Sequence, residues 1–244
     1  MKLLPGLHLA GGGRLGPGLT NPYDCNVYLL TAGRQALVVD SGCGLDTGDL
    51  AGRIMSQADG RPVAGILLTH AHADHAGGAA ELAGLLSTNV YAGNRTARLV
   101  AAGDHDQLGL TRAIRAGVYP PGYRFPPAPV VCDAADLLAG LTEIRAEALP
   151  APGHSRDHTC YLVEAGQYRY LLSGDLVFAR GRIALLGTDD ADIPALHDSL
   201  AEMRRREPDV LLPGHGVPVL ADACWHLDQA LHEFELGRIP MSFQ

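Results

Sequence analysis

Thr69-His-Ala-His-Ala-Asp-His75 follows directly on the apolar run Val63-Ala-Gly-Ile-Leu-Leu68, so His70, His72, Asp74 and His75 crowd behind what reads as a buried strand. An imidazole or carboxylate left unpartnered in apolar surroundings costs several kcal/mol. Four of them on one loop would need four separate partners, whereas one or two divalent ions satisfy them all. Alternate residues of an extended segment share a side. His70 and His72 therefore point one way, while Asp74 and His75 turn toward a second centre. The competing reading is a surface loop that happens to be His-rich.

Three more residues stand in similar settings. His154 lies in Pro152-Gly-His-Ser155, Asp175 in Leu171-Leu-Ser-Gly-Asp175 and His215 in Leu211-Leu-Pro-Gly-His-Gly216. Each follows a strand-like segment and a glycine, which lets the backbone turn sharply and present the next side chain at a strand end. Singly, each also reads as an ordinary turn residue. Together with the cluster they make five His and two Asp, enough for two ions with positions left for water and substrate. Catalysis requires such open positions, because structural zinc sites are closed.

These motifs, with Asn26-Val-Tyr-Leu-Leu30 and Val38-Val-Asp-Ser-Gly42 before them, resemble the metallo-β-lactamase-fold hydrolases, and within them the glyoxalase II-like branch. The resemblance covers nearly the whole chain. It implies an α/β fold, the four-layer αββα sandwich, in one domain spanning residues 1–244. It also implies that His70, His72 and His154 bind one metal, that Asp74, His75 and His215 bind the other, and that Asp175 bridges them. The expected cofactor is a pair of divalent ions, zinc in the first place, with iron or manganese as alternatives. The function implied is hydrolysis of an ester, thioester or lactone by a metal-bridging hydroxide, with Asp74 as the catalytic residue that aims it. Asp175 argues against a true β-lactamase, which lacks an Asp at the bridging position. Phe178 fits the Gly-Asp-x-x-Phe pattern of the glyoxalase II-like branch, where the lactonases carry Tyr. The C-terminal Arg/Lys-bearing segment that recognises glutathione has no counterpart in Gly237-Arg-Ile-Pro-Met-Ser-Phe-Gln244, which leaves Arg180 and Arg182 as anchors for an anionic substrate. Two other readings stay open: a persulfide-dioxygenase-like enzyme with one iron, and a phosphodiester or nucleic-acid hydrolase.

Imidazoles that hold a metal usually donate their other N–H to a carboxylate or carbonyl. Asp40, Asp157 and His158 are the candidates for that supporting role, although Asp40 reads equally as a turn residue and His158 as a core histidine. His8, His105, His197, His226 and His232 carry no pattern of their own.

Composition sets limits. With 244 residues and 47% hydrophobic content the chain can bury a large core. Thirty Gly and sixteen Pro suit many tight turns. A net charge of −8 disfavours nucleic acid, whose phosphates call for clustered cations. No apolar stretch approaches the roughly 20 residues of a membrane helix, and the first residues do not read as a signal peptide. The five scattered cysteines read as small hydrophobes in a reducing cytosol. A cytoplasmic enzyme for a small-molecule substrate is expected, without nucleic-acid or membrane partners and with a homodimer left open.

Strand patterns are read at 26–31 and 35–40, joined by a hairpin at Ala32-Gly33-Arg34, and again from Val63, at 143–149, 159–163 and 168–173. Helical stripes are read through Leu50, Ile54 and Met55; through Ala79, Leu82, Leu85 and Leu86; through Leu196, Leu200 and Met203 behind Pro194; and through Cys224, Leu227, Leu231 and Phe234, ending at Gly237. Residues 93–129 interrupt the alternation with a short helical piece and a Pro-rich loop. Tyr119, Tyr123, Phe125, Arg112, Arg115 and Arg124 make this segment a lid over an apolar and anionic ligand, with Tyr119, Tyr123 and Arg124 touching substrate, or else an oligomer contact or solvated loop.

Overall fold

The structure, a computed structural model, describes residues 1–129, 131–185 and 190–243. Seven strands form one sheet in chain order: β1 (Lys2–Leu4), β2 (Leu7–Gly11), β3 (Val27–Ala32), β4 (Gln35–Val39), β5 (Val63–Leu67), β6 (Val90–Ala92) and β7 (Val131–Asp133). β1 to β4 are an antiparallel meander; β4 to β7 are parallel. A second sheet has β8 (Arg145–Pro150), β9 (Thr159–Ala165), β10 (Tyr168–Gly174) and β11 (Val210–Pro213), in the order β11-β10-β9-β8.

Both faces of the central strands are buried, and the alternation of side chains decides what lies on each. In the first sheet Tyr28, Leu30, Leu37, Val39 and Leu67 point inward and meet Tyr161, Val163, Tyr170, Leu172, Val210 and Leu212 from the second. The residues between them point outward. Val27, Leu29, Val38 and Ile66 pack under α1 (Thr47–Ala58) and α3 (Ala79–Leu86). Leu162, Leu171 and Leu211 pack under α7 (Ile193–Arg205) and α8 (Ala223–Glu235). The layers are therefore helix, sheet, sheet, helix.

Local chemistry explains the helix ends. Asp192 caps α7 by accepting from the Ala195 N–H, with Pro194 in the first turn, where a missing donor costs nothing. Gly237 takes a φ of 70° just past α8. The short helices α2 (Ala73–Ala76), α4 (Asn94–Ala102), α5 (Leu110–Arg115) and α6 (Ala134–Gly140) complete the fold. Among the described residues no helix is long and apolar enough to cross a membrane.

Parallel pairing matters most for the site. Because β4 and β5 run together, as do β10 and β11, their carboxyl ends lie on common edges, and β8 runs in the same direction as β10. The residues that follow these ends are Asp40, His70, Asp175, His215 and His154. Open α/β sheets present their ligands at such edges.

Candidate metal centre

β5 ends at Leu67, and the chain then runs through Thr69 and His70 to His72, which opens the single-turn helix α2 carrying Asp74 and His75. β10 ends in Gly174 at a φ of 47°, where a Cβ would lie 2.6 Å from His158 Nε2. Gly214, which precedes His215, is equally confined: a Cβ there would lie 2.5 Å from both Asp175 Oδ1 and His75 Cε1. Glycine at both positions lets two backbone turns press against the site.

All seven ligand candidates converge. His72 Nδ1 lies 3.0 Å from both His70 Nε2 and His154 Nε2, so three ring nitrogens face one point. Asp74, His75 and His215 form a second group, with Asp74 Oδ2 at 3.1 Å from His215 Nε2 and 3.8 Å from His75 Nε2. Asp175 stands between them. Its Oδ1 is 3.3 Å from His75 Nε2, and its Oδ2 is 3.5 Å from His215 Nε2 and 3.7 Å from His154 Nε2.

The outer nitrogens of His154, His75 and His70 are anchored, which orients their rings. His154 donates its Nδ1–H to the Ala184 carbonyl at 2.9 Å, and His75 donates its Nδ1–H to Asp40 Oδ2 at 2.8 Å. Asp40 also accepts the Thr69 N–H at 2.8 Å and the Thr69 hydroxyl, which in turn accepts from His70 Nδ1 at 3.0 Å. Each of these three imidazoles is left with its Nε2 turned inward. His158 Nε2 accepts the Asp175 N–H at 3.1 Å and so steadies the turn that bears Asp175. Asp157 accepts from the Ala71 N–H, the Thr96 hydroxyl and the Ser155 hydroxyl, tying the His70 loop to the His154 loop. Asp40, at a φ of 63°, is thus both a turn residue and a support for two imidazoles.

Charge agrees with a cation in this space. Burial drives His154 down to about 4 and holds His70 well below the usual imidazole range, with the crowding imidazoles adding to it, so both present lone pairs. Burial would raise Asp74 and Asp175, but the facing imidazoles of His75 and His215 outweigh it and hold both carboxyls below their ordinary values. His75 and His215 are raised in return, against their burial, chiefly by the acidic groups around them. The positive charge that these imidazoles lend the carboxylates is the charge a divalent ion would supply. His75 Nε2 and Asp175 Oδ1 are moreover buried without any hydrogen-bond partner, the state of a donor atom aimed at a metal. The residues fit the group: imidazole nitrogens and ionised carboxylate oxygens converge in two sets that share one carboxylate.

Placement of the other candidates is mixed. Tyr119 donates its hydroxyl to Asp74 Oδ1 at 2.7 Å and accepts the Asp74 N–H at 3.1 Å. It is buried and stacks on Tyr123 at 5.1 Å, whose hydroxyl donates to the Cys43 carbonyl at 2.6 Å. Phe178 is buried under Phe243, 4.5 Å between ring centroids, and backs His215. Arg124 is exposed, Arg180 is exposed at a φ of 66°, and Arg182 is half-buried. Two cavities beside His72 are walled instead by Arg95, Leu99, Gln107, Leu108, Arg112, Ala113, Ala116, Val118 and Tyr119. Tyr123, Arg124, Phe178, Arg180 and Arg182 line neither. The three aromatics of the 93–129 segment turn into the core under the metal loop because burying a ring outweighs leaving it on a flap. Thr69 was signalled only by its place at the strand end. The Ala184 carbonyl and, apart from Arg112 and Tyr119, the cleft-wall side chains just named carried no individual signal.

Residues 20–215 match the family model described as the metallo-beta-lactamase superfamily. The chain is similar to the atrochrysone carboxyl ACP thioesterase of Passalora fulva, at 28% identity over 208 residues, 83% of this chain and 51% of that protein. It is also similar to the hydroxyacylglutathione hydrolase of Dechloromonas aromatica (strain RCB), at 30% identity over 180 residues, 74% of this chain and 54% of that one. The chain thus spans about half the length of these two relatives. Among solved structures, TTHA1623 in a di-iron-bound form is 28% identical with a TM-score of 0.61, covering 82% of this chain and 91% of that one. ST1585 from Sulfolobus tokodaii, at 20% identity and a TM-score of 0.67 over 94% of this chain and 86% of that one, shares the fold. The family match runs from β3 through β11 and contains every one of the converging His and Asp side chains; the chain belongs to the metallo-beta-lactamase superfamily.

Proposed function

We propose that this chain is a dinuclear metal-dependent hydrolase that cleaves an ester, thioester or lactone bond of a small molecule. The observation that carries the reading is Asp175: its two oxygens reach imidazoles of both ligand groups, the arrangement of a carboxylate shared by two ions. Two bound divalent ions supply Lewis acidity toward a carbonyl oxygen and a water acidified to a pKa of about 7.

The chain's own side chains do the positioning. His70, His72 and His154 would hold one ion; Asp74, His75 and His215 the other. Tyr119 occupies Asp74 Oδ1 and leaves Oδ2 facing His215, so the carboxylate cannot rotate freely. Asp40 holds His75 and, through Thr69, His70 in their donor orientation. The neighbouring thiol is no nucleophile: burial raises Cys25 to about 12 and keeps it protonated. Zinc is the ion we expect; the di-iron form of a relative 28% identical supports iron as a substitute. Five free cysteines support a reducing, cytoplasmic setting.

The test is to load the metal-free protein with zinc, iron or manganese and assay thioesters, lactones, aryl esters and a phosphodiester. Metal-dependent turnover of a carbonyl substrate, abolished by chelation, is the expected result. Turnover of the phosphodiester alone, or oxygen consumption with a single bound iron, contradicts the reading.

A further inference from the structure

The two cavities beside the metal loop are arms of one cleft, because both are lined by His72, Leu108, Gly109 and Arg112. They differ in chemistry. One, of about 360 Å³, is walled by Arg95, Asp106, Gln107, Asp157 and Asp190. The other, of about 210 Å³, runs between α5 and the ligand side chains Asp74, Asp175 and His215, and its far wall is Leu110, Ala113, Ala116, Val118 and Tyr119. Among the described residues of that side, Arg112 and the Tyr119 hydroxyl, which is committed to Asp74, are the polar side chains, and the rest of the wall is apolar.

We infer that the apolar arm, walled by α5 and Val118, is the binding site for the apolar acyl chain of the substrate, and that Ala113 and Ala116 set its width. The inference rests on the hydrolase reading above and adds the part of the substrate that reading leaves open. A carbonyl carbon placed beside Asp175 has an apolar groove on one side and a polar one across His72. The side that gains by desolvation is the hydrocarbon, since each methylene removed from water raises affinity by about fourfold. The leaving alcohol or thiol then extends into the polar arm. Ala113 in α5 and Ala116, the helical-φ residue that caps its C-terminus, stand three apart and so share a face. A methyl at both positions leaves room that a larger side chain would fill. Ala116 and Val118 are exposed at the rim, so substitutions there spare the core.

Two readouts test this. The first is a series of S-acyl N-acetylcysteamine thioesters from acetyl to decanoyl with the zinc-loaded enzyme. Wild-type kcat/KM should climb with chain length until the arm is full. Ala116→Phe and Val118→Asp should each lower the octanoyl-to-acetyl ratio of kcat/KM by about tenfold or more, with metal content unchanged. A flat wild-type profile, or equal losses on acetyl and octanoyl substrates, overturns the proposal. The second readout needs no catalysis: calorimetric binding of 1-butanol and 1-octanol to the metal-free protein. Octanol should bind at least about tenfold more tightly, and Ala116→Phe should erase the difference. Equal binding of the two alcohols overturns the acyl site even if the enzyme hydrolyses thioesters. Chain-length-dependent binding without hydrolysis of any series member would instead keep the site and remove the hydrolase reading.

Discussion

The strand-end loops that carry His70, His72, Asp74, His75, His154, Asp175 and His215 behave differently from the segment between α4 and β7. In the loops the seven His and Asp side chains converge on one space, several of them held from behind by hydrogen bonds, and each loop follows the carboxyl end of a strand. In the 104–129 segment the aromatics turned inward and became core, while the small residues Ala113 and Ala116 came to face the cleft. Burial of an ionisable group demands compensation, so its chemistry announces its place. Burial of a ring demands none, so an aromatic looks the same in sequence whether it covers a substrate or fills a core.

Variants can break that contrast. The largest effect is expected from Asp175→Ala, which removes the one carboxylate shared by both ligand groups. Turnover should fall by far more than the roughly 100-fold typical of losing an outer partner, and the second ion should be weakened more than the first. Metal analysis with kinetics checks this, and unchanged metal content with normal turnover would reduce Asp175 to a turn residue. Asp74→Asn comes next. It keeps the shape but removes a charged donor and weakens the Tyr119 contact, so turnover should drop by about two orders of magnitude or more while the circular dichroism spectrum is retained.

Asp40→Asn tests the supporting layer. His75 and Thr69 lose an ionised acceptor, and metal affinity or turnover should fall by about 10- to 100-fold. Full affinity in a competition titration would show that other contacts orient His75. Tyr119→Phe should be milder, about tenfold on kcat with KM nearly unchanged, because Asp74 keeps its Oδ2 contact with His215 while losing a charge-assisted hydrogen bond. A KM effect alone would show that the Tyr119 hydroxyl serves substrate rather than Asp74. The smallest change is expected for Arg124→Ala: the side chain is exposed and borders neither arm of the cleft, so kcat/KM should stay within about twofold for any substrate.

Legibility in the sequence followed the same physics. Strands with strong period-two patterns, β3, β4, β9 and β10, were placed to within a residue or two. The short strands β1, β6 and β7 were not read, since three residues cannot establish a period. Nor was α6, whose Ala134 and Leu137 reach the space between the sheets from only seven residues. The convergence of the seven His and Asp residues was legible because such residues crowded behind a strand, or set after a strand and a glycine, have few structural reasons to be there. Asp40 and Asp157 were legible as supports in kind; which imidazole or loop each holds needed the fold. The cleft walls were legible only as a segment: residues 93–129 read as a cover for the ligand, and Arg112 and Tyr119 of that reading do line the cleft, but alanine, leucine and valine on a short helix carry no mark of facing a substrate.

The central claim is that one carboxylate joins two metal centres. The measurement that tests it most directly is anomalous X-ray diffraction from crystals of the zinc-loaded protein. Two anomalous peaks on either side of the Asp175 carboxylate are predicted, one contacted by His70, His72 and His154 and the other by Asp74, His75 and His215. A single fully occupied peak after saturation, with Asp175 and His215 outside its coordination, would contradict the account.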